Sequence, residues 1–152
     1  MGEFEKDFVM RQIRQLVQFI ARLVREARTE DRQDSGIEEL RTAVEKWLGI
    51  SPAVLDRLEP ASVARLVREG EVLRTLAWIT AQEGELHEAA GDPEAARQRR
   101  YRALTLYAEC AGCFPAEDAA CREAARTLVA VTETGPLAEK HRRWLDSPSP
   151  GR

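Results

Sequence analysis

Apolar residues recur at helical spacing along nearly the whole chain. No sustained apolar–polar alternation, and no Asn-Gly or Asp-Gly turn between β-branched runs, marks a strand. The pattern predicts an all-α fold, with a long amphipathic N-terminal helix followed by a helical array. The first helix is expected from Phe4 to Arg28. Val9, Ile13, Leu16, Ile20, Leu23 and Ala27 step by four and three residues in turn, and Met10, Val17 and Val24 widen that stripe. The outer face carries Arg11, Arg14, Arg22 and Arg25, with no acid between Asp7 and Glu26. A stripe of nearly three heptads has to meet either the rest of the chain or a partner.

Glycine, proline and short polar residues divide the remainder of the chain. The polar stretch from Thr29 to Gly36 reads as the main hinge. Ile37, Leu40, Val44, Trp47 and Leu48 then give a second helix ended by Gly49. Ser51-Pro52 supplies a cap and a first-position proline for a short helix through Leu58, and Pro60 opens another through Val67. A long helix runs from Glu71 to Ala90 and stops at Gly91, after which Asp92-Pro93 starts the next, from Glu94 to about Ala111. Pro115 begins a further helix with Glu117 and Asp118 in its first turn, where carboxylates suit the helix dipole. Gly135-Pro136 precedes a last helix ending near Trp144. Residues 1–146 are therefore expected as one all-α domain, a size typical of single domains: 1–30 the amphipathic helix, 37–70 short helices, 71–145 helical hairpins. Residues 147–152 read as a disordered tail.

The hairpin from Thr80 to Ala108 resembles a tetratricopeptide unit. With Gly91-Asp92 as its turn, Gly84 falls on the family's glycine, Ala96 and Ala103 on its alanines, and Leu104 follows suitably. It departs from the family at Glu83, His87, Arg100 and Ala108. Residues 71–145 are accordingly expected as tetratricopeptide-like hairpins, with Pro115 to Trp144 too degenerate to identify as a unit from its residues. The opening helix, from Glu5-Lys6-Asp7 through Ile13, followed by such a C-terminal half, resembles a family of small bacterial proteins of unknown function. That resemblance implies a bacterial protein and no activity.

Composition narrows the function classes. A net charge of −3 and a pI near 5.6 lack the basic footprint of a nucleic-acid binder. All but Lys6, Lys46 and Lys140 of the 23 basic residues are arginine, as in GC-rich bacterial coding. No basic-then-apolar leader and no apolar run of membrane-spanning length is seen, so a cytoplasmic protein is expected. Nine glycines stand singly, so no phosphate-cradling loop is present, and neither His87 nor His141 has the partner spacing of a helical metal motif. No catalytic residue and no cofactor are expected.

Three groups of residues remain as candidate chemistry. Cys110-x-x-Cys113 with Cys121 has compact thiol spacing, and His141 (or His87) would complete a four-ligand zinc site. Against that stands a core reading, because Cys110 and Cys121 fall on apolar stripes. The run Arg97 to Arg102 offers a grip for phosphate or an acidic peptide through Arg97 and Arg100, with Arg99 and Arg102 as a neighbouring pair. The competing expectation is a solvated face neutralised by Glu83, Glu85, Glu88 and Glu94. The stripe Val9, Ile13, Leu16, Ile20 and Leu23 offers a surface for self-association. The leading expectation is an interaction module that binds a protein or peptide through its hairpins, or pairs with a copy of itself through the first helix as a homodimer. The alternatives are peripheral association with anionic membranes through the basic helix face, and a zinc or thiol site.

Overall fold

The computed structural model describes residues 3–132, 135, 137 and 139–148. Among these every regular element is helical, and no strand occurs. In chain order they are α1 (Glu3–Thr29), α2 (Gln33–Leu48), α3 (Pro52–Arg57), α4 (Pro60–Leu66), α5 (Gly70–Ala89) and α6 (Pro93–Cys113). A 3-10 turn (Pro115–Glu117), α7 (Asp118–Val129) and α8 (Glu139–Asp146) complete the set. Local chemistry sets most boundaries. Ser51 Oγ accepts from the Ala53 N–H at 3.3 Å ahead of Pro52, and Asp92 Oδ1 accepts from the Ala95 N–H at 3.1 Å ahead of Pro93. Gly49 closes α2 at φ +72°, the left-handed conformation that a glycine adopts without steric cost.

α5 lies at the centre. It is apolar on most of its circumference, as a helix enclosed by neighbours must be, and buries Leu73, Leu76, Ala77, Ile79 and Leu86. α6 forms a hairpin with it, while α1 and α2 pack on it from the N-terminal side. The hairpin is tight because Gly84 lacks a side chain: a Cβ there would stand 3.2 Å from the Ala96 carbonyl oxygen. α7 follows against α6. Arg122 of α7 then holds the C-terminal segment. It bonds Asp118 at 2.7 Å, donates to the Trp144 and Ser147 carbonyls at 2.5 and 2.6 Å, and lies 5.1 Å from the centre of the Trp144 ring. Ser147, expected in a disordered tail, is thus tied to the fold. The rest of that expected tail from residue 149 onward lies outside the described residues, as does Pro136 of the expected Gly135-Pro136 break.

Two expectations change. α2 begins at Gln33, so the hinge shrinks to a turn around Asp31, at φ +56°. Gly36, expected as a breaker, is buried within the helix, where a Cβ would come 2.8 Å from that of Ala27. Its missing side chain serves close packing of α2 on α1 rather than flexibility. The second change concerns the stripe of α1, expected to be too long for short neighbours to cover. α2 and α5 cover its C-terminal half: Ile20, Leu23, Val24 and Ala27 are buried in the core of the chain itself. Ile13 is buried too. Val9, Met10, Leu16 and Val17 are half-buried, and Phe8 and Phe19 beside the stripe are exposed by 53% and 39%.

Candidate functional site

The densest arrangement of charge lies between α2, α3, α5 and α6. Glu83 of α5 has a side chain only 4% exposed, and two arginines from different helices meet it: Arg41 of α2 at 2.9 Å and Arg99 of α6 at 3.3 Å. The same two arginines bind Asp56 of α3, at 3.0 and 2.9 Å. Arg102, one turn beyond Arg99, donates to the Leu55 carbonyl oxygen at 2.6 Å. These five charged side chains, with Thr80 and an apolar wall that includes Leu40, Val44, Leu76 and Leu106, line a half-open cavity of about 40 Å³. A space of that size accommodates water. Three guanidinium groups therefore face two carboxylates.

The electrostatics follow from burial set against pairing. Burial opposes ionisation of Asp56, but the hydrogen bonds and charges of Arg99 and then Arg41 outweigh it and hold its pKa below the ordinary value. Asp118 behaves alike: burial is outweighed by Arg122 and the Trp144 indole N–H. So does Glu109, where burial is outweighed by Lys140 and His141. Burial lowers the pKa of Arg102, aided by the charge of Arg99 and opposed by Asp56. The three depressed carboxyl groups bind fewer protons in the folded than in the unfolded chain. Their stabilisation is complete above the unfolded pKa values and is lost as pH falls through the folded ones. Urea midpoints should accordingly hold steady from neutrality down to about pH 5 and fall progressively below it.

The arginine run divides differently from expectation. Arg97 pairs with Glu94 at the surface. Arg100, expected on a solvated face, is buried between α5 and α6, where Glu88 and Glu85 neutralise it. Glu83, Glu85, Glu88 and Glu94 each pair with an arginine of this run, but so does Asp56, which the sequence does not reveal, and the pair that enters a cavity is Arg99 and Arg102.

The cysteines do not converge as a ligand set. Cys110 and Cys121 are buried together, while Cys113 is exposed. Cys110 Sγ donates to the Gly70 carbonyl oxygen at 3.5 Å. The hydrogen bond with Cys110, then burial, pushes the Cys121 thiol pKa strongly upward, the reverse of what a metal-binding or nucleophilic thiolate needs. His141 Nε2 lies 3.0 Å from Glu109 Oε1 rather than beside a sulfur. Among the described residues no group of three or more His, Cys, Asp or Glu is placed to hold a metal ion. No described helix is long and apolar enough to cross a membrane.

A second feature, on the outside, is a groove of about 820 Å³ between α1 and α2. Gln12, Gln15, Leu16 and Phe19 form one wall; Glu38, Glu39, Ala43, Lys46 and Trp47 are on the other. Glu38 and Glu39 have no ion-pair partner among the described residues, and neither have Arg11, Arg14, Arg22 and Arg25 on the outer face of α1. No spacing rule points to this groove. The signal present in the sequence is Phe8 and Phe19, eleven residues apart and so nearly aligned on a helix, but set to one side of the core stripe.

No family model, curated protein or solved structure matches the chain.

Proposed function

We propose that the protein is an interaction module that associates with a second copy of itself through the face shared by α1 and α2. The observation that supports this reading is that exposed Phe8 and Phe19 share one face of α1, where Phe19 lines a groove together with half-buried Leu16 and Trp47. Large exposed apolar side chains beside an apolar groove form a surface that loses free energy when covered. The charges make that surface complementary to itself. Unpaired acids Glu38 and Glu39 line the groove, and unpaired Arg22 and Arg25 flank Phe19 on its other side. A two-fold arrangement sets the Phe19 side chain of each copy in the other's groove and brings that arginine pair toward the acids, using one surface twice. The resemblance of the α5–α6 hairpin to a tetratricopeptide unit supports the same general class.

The test is a Phe8→Glu, Phe19→Glu double variant in sedimentation velocity. Both positions are exposed in the single chain, so the melting temperature should stay within a few degrees of wild type. The sedimentation coefficient should fall to that of one chain. A variant that still sediments as two chains would show that this face does not carry self-association, and a wild type that sediments as one chain would overturn the proposal.

The four unpaired arginines of α1 support a second reading, attachment to anionic lipid surfaces. It predicts salt-sensitive co-sedimentation with anionic vesicles that charge reversal at Arg11 and Arg22 abolishes; self-association alone predicts none.

A further inference from the structure

The cavity beneath α3 is filled from two sources of unlike permanence. Glu83 belongs to α5 in the centre of the core, whereas Asp56 belongs to a six-residue helix. A helix that short has no stability of its own, since isolated helices need roughly 12–15 residues to persist in water. Its place therefore depends on what its side chains and backbone reach. Leu55 is buried beside Leu40, Val44, Leu76 and Leu106. Its carbonyl oxygen takes the hydrogen bond from Arg102, and the Asp56 carboxylate bridges Arg41 to Arg99. A leucine in an apolar slot, a backbone carbonyl on one arginine and a carboxylate across two others are what an acidic peptide would bring to such a site. Among the described residues Arg102 makes no ion pair within 4 Å, and the nearby charge that favours it is Asp56 of α3 itself. With α3 withdrawn, three guanidinium groups would face Glu83 alone, an imbalance that a low-dielectric site tolerates poorly.

We propose that the pocket is an acidic-peptide site and that α3 is its built-in occupant. A partner segment carrying leucine followed by aspartate displaces α3. Its carboxylate takes the place of Asp56 between Arg41 and Arg99, and its leucine and carbonyl take those of Leu55. The recognition is charge-assisted and two-pronged, so an asparagine in place of the aspartate is a poor substitute. The site shares no residue with the α1–α2 face and stands or falls independently of self-association.

The probe is a blocked synthetic peptide of residues 51–59, titrated by calorimetry into the full-length protein. Asp56→Ala should bind it at least about tenfold more tightly than wild type, because the weakened α3 competes less well. The same peptide with its aspartate changed to asparagine should lose about tenfold against that variant. In the wild-type protein, excess peptide should speed amide hydrogen exchange across residues 51–58 while α5 and α6 stay protected. Should Asp56→Ala fail to fold by circular dichroism, the wild-type exchange experiment decides alone. Peptide affinity no greater for a folded Asp56→Ala than for wild type, or wild-type exchange unchanged by excess peptide, would show the cluster to be a structural ion network only.

Discussion

Ile20→Asp is expected to abolish cooperative folding at moderate temperature, while Leu16→Asp one turn away leaves a folded chain. The two residues share a stripe and differ in what covers them. Ile20 is fully enclosed where α1 meets the core, so an aspartate there has neither water nor a partner. Burying an unpaired carboxylate costs several kcal/mol, enough to consume most of the roughly 5–15 kcal/mol stability of an ordinary domain. Leu16 is half-buried at the groove, where a carboxylate turns toward solvent and the loss is about 1–2 kcal/mol. Urea titrations followed by circular dichroism check both. A normal unfolding midpoint for Ile20→Asp would mean that α1 does not pack on α2 and α5 as described.

Glu83→Ala carries the second large effect. Removing this carboxylate leaves Arg41 and Arg99, 33% and 20% exposed, with Asp56 as their one ion-pair partner among the described residues. Deleting one partner of a fully buried pair typically costs about 3–5 kcal/mol, and the partial exposure of both arginines and their remaining bond to Asp56 bring the expected loss to about 2–3 kcal/mol. Arg143→Ala is the contrasting case. Its pairing with Glu139 spans two side chains more than three-quarters exposed, and its loss should lie within about 0.5 kcal/mol. Denaturant midpoints for the two variants should therefore separate clearly. Equal midpoints would show that the cluster under α3 is open to solvent.

The helical class and most boundaries are legible in the sequence because they depend on local signals. Ser51-Pro52 and Asp92-Pro93 cap and start helices by hydrogen bonds within three residues, and the sequence displays them directly. Gly36 misleads for a reason of the same kind. A glycine after a polar run looks locally like a breaker, and only the distant approach of Ala27 shows that the position needs an absent side chain. The α1 stripe is plain, but its covering is not, since periodicity says which face is apolar and not which element lies on it. The charged cavity is least legible. Arg99 and Arg102 stand out as neighbours on a helix, yet Arg41, Asp56 and Glu83 join them from up to 61 positions away, an arrangement set by tertiary packing. Arg97 and Arg100 belong to the same run and pair with Glu94 and with Glu85 and Glu88, although Arg100 Nε stays buried without a hydrogen-bond partner.

Self-association through the α1–α2 face is tested most directly by light scattering of the wild-type chain at micromolar concentration. The proposal requires a mass of twice the 17.1 kDa chain, falling toward one chain on dilution or in the Phe8→Glu, Phe19→Glu variant. A mass of one chain that holds across the whole concentration range would contradict it.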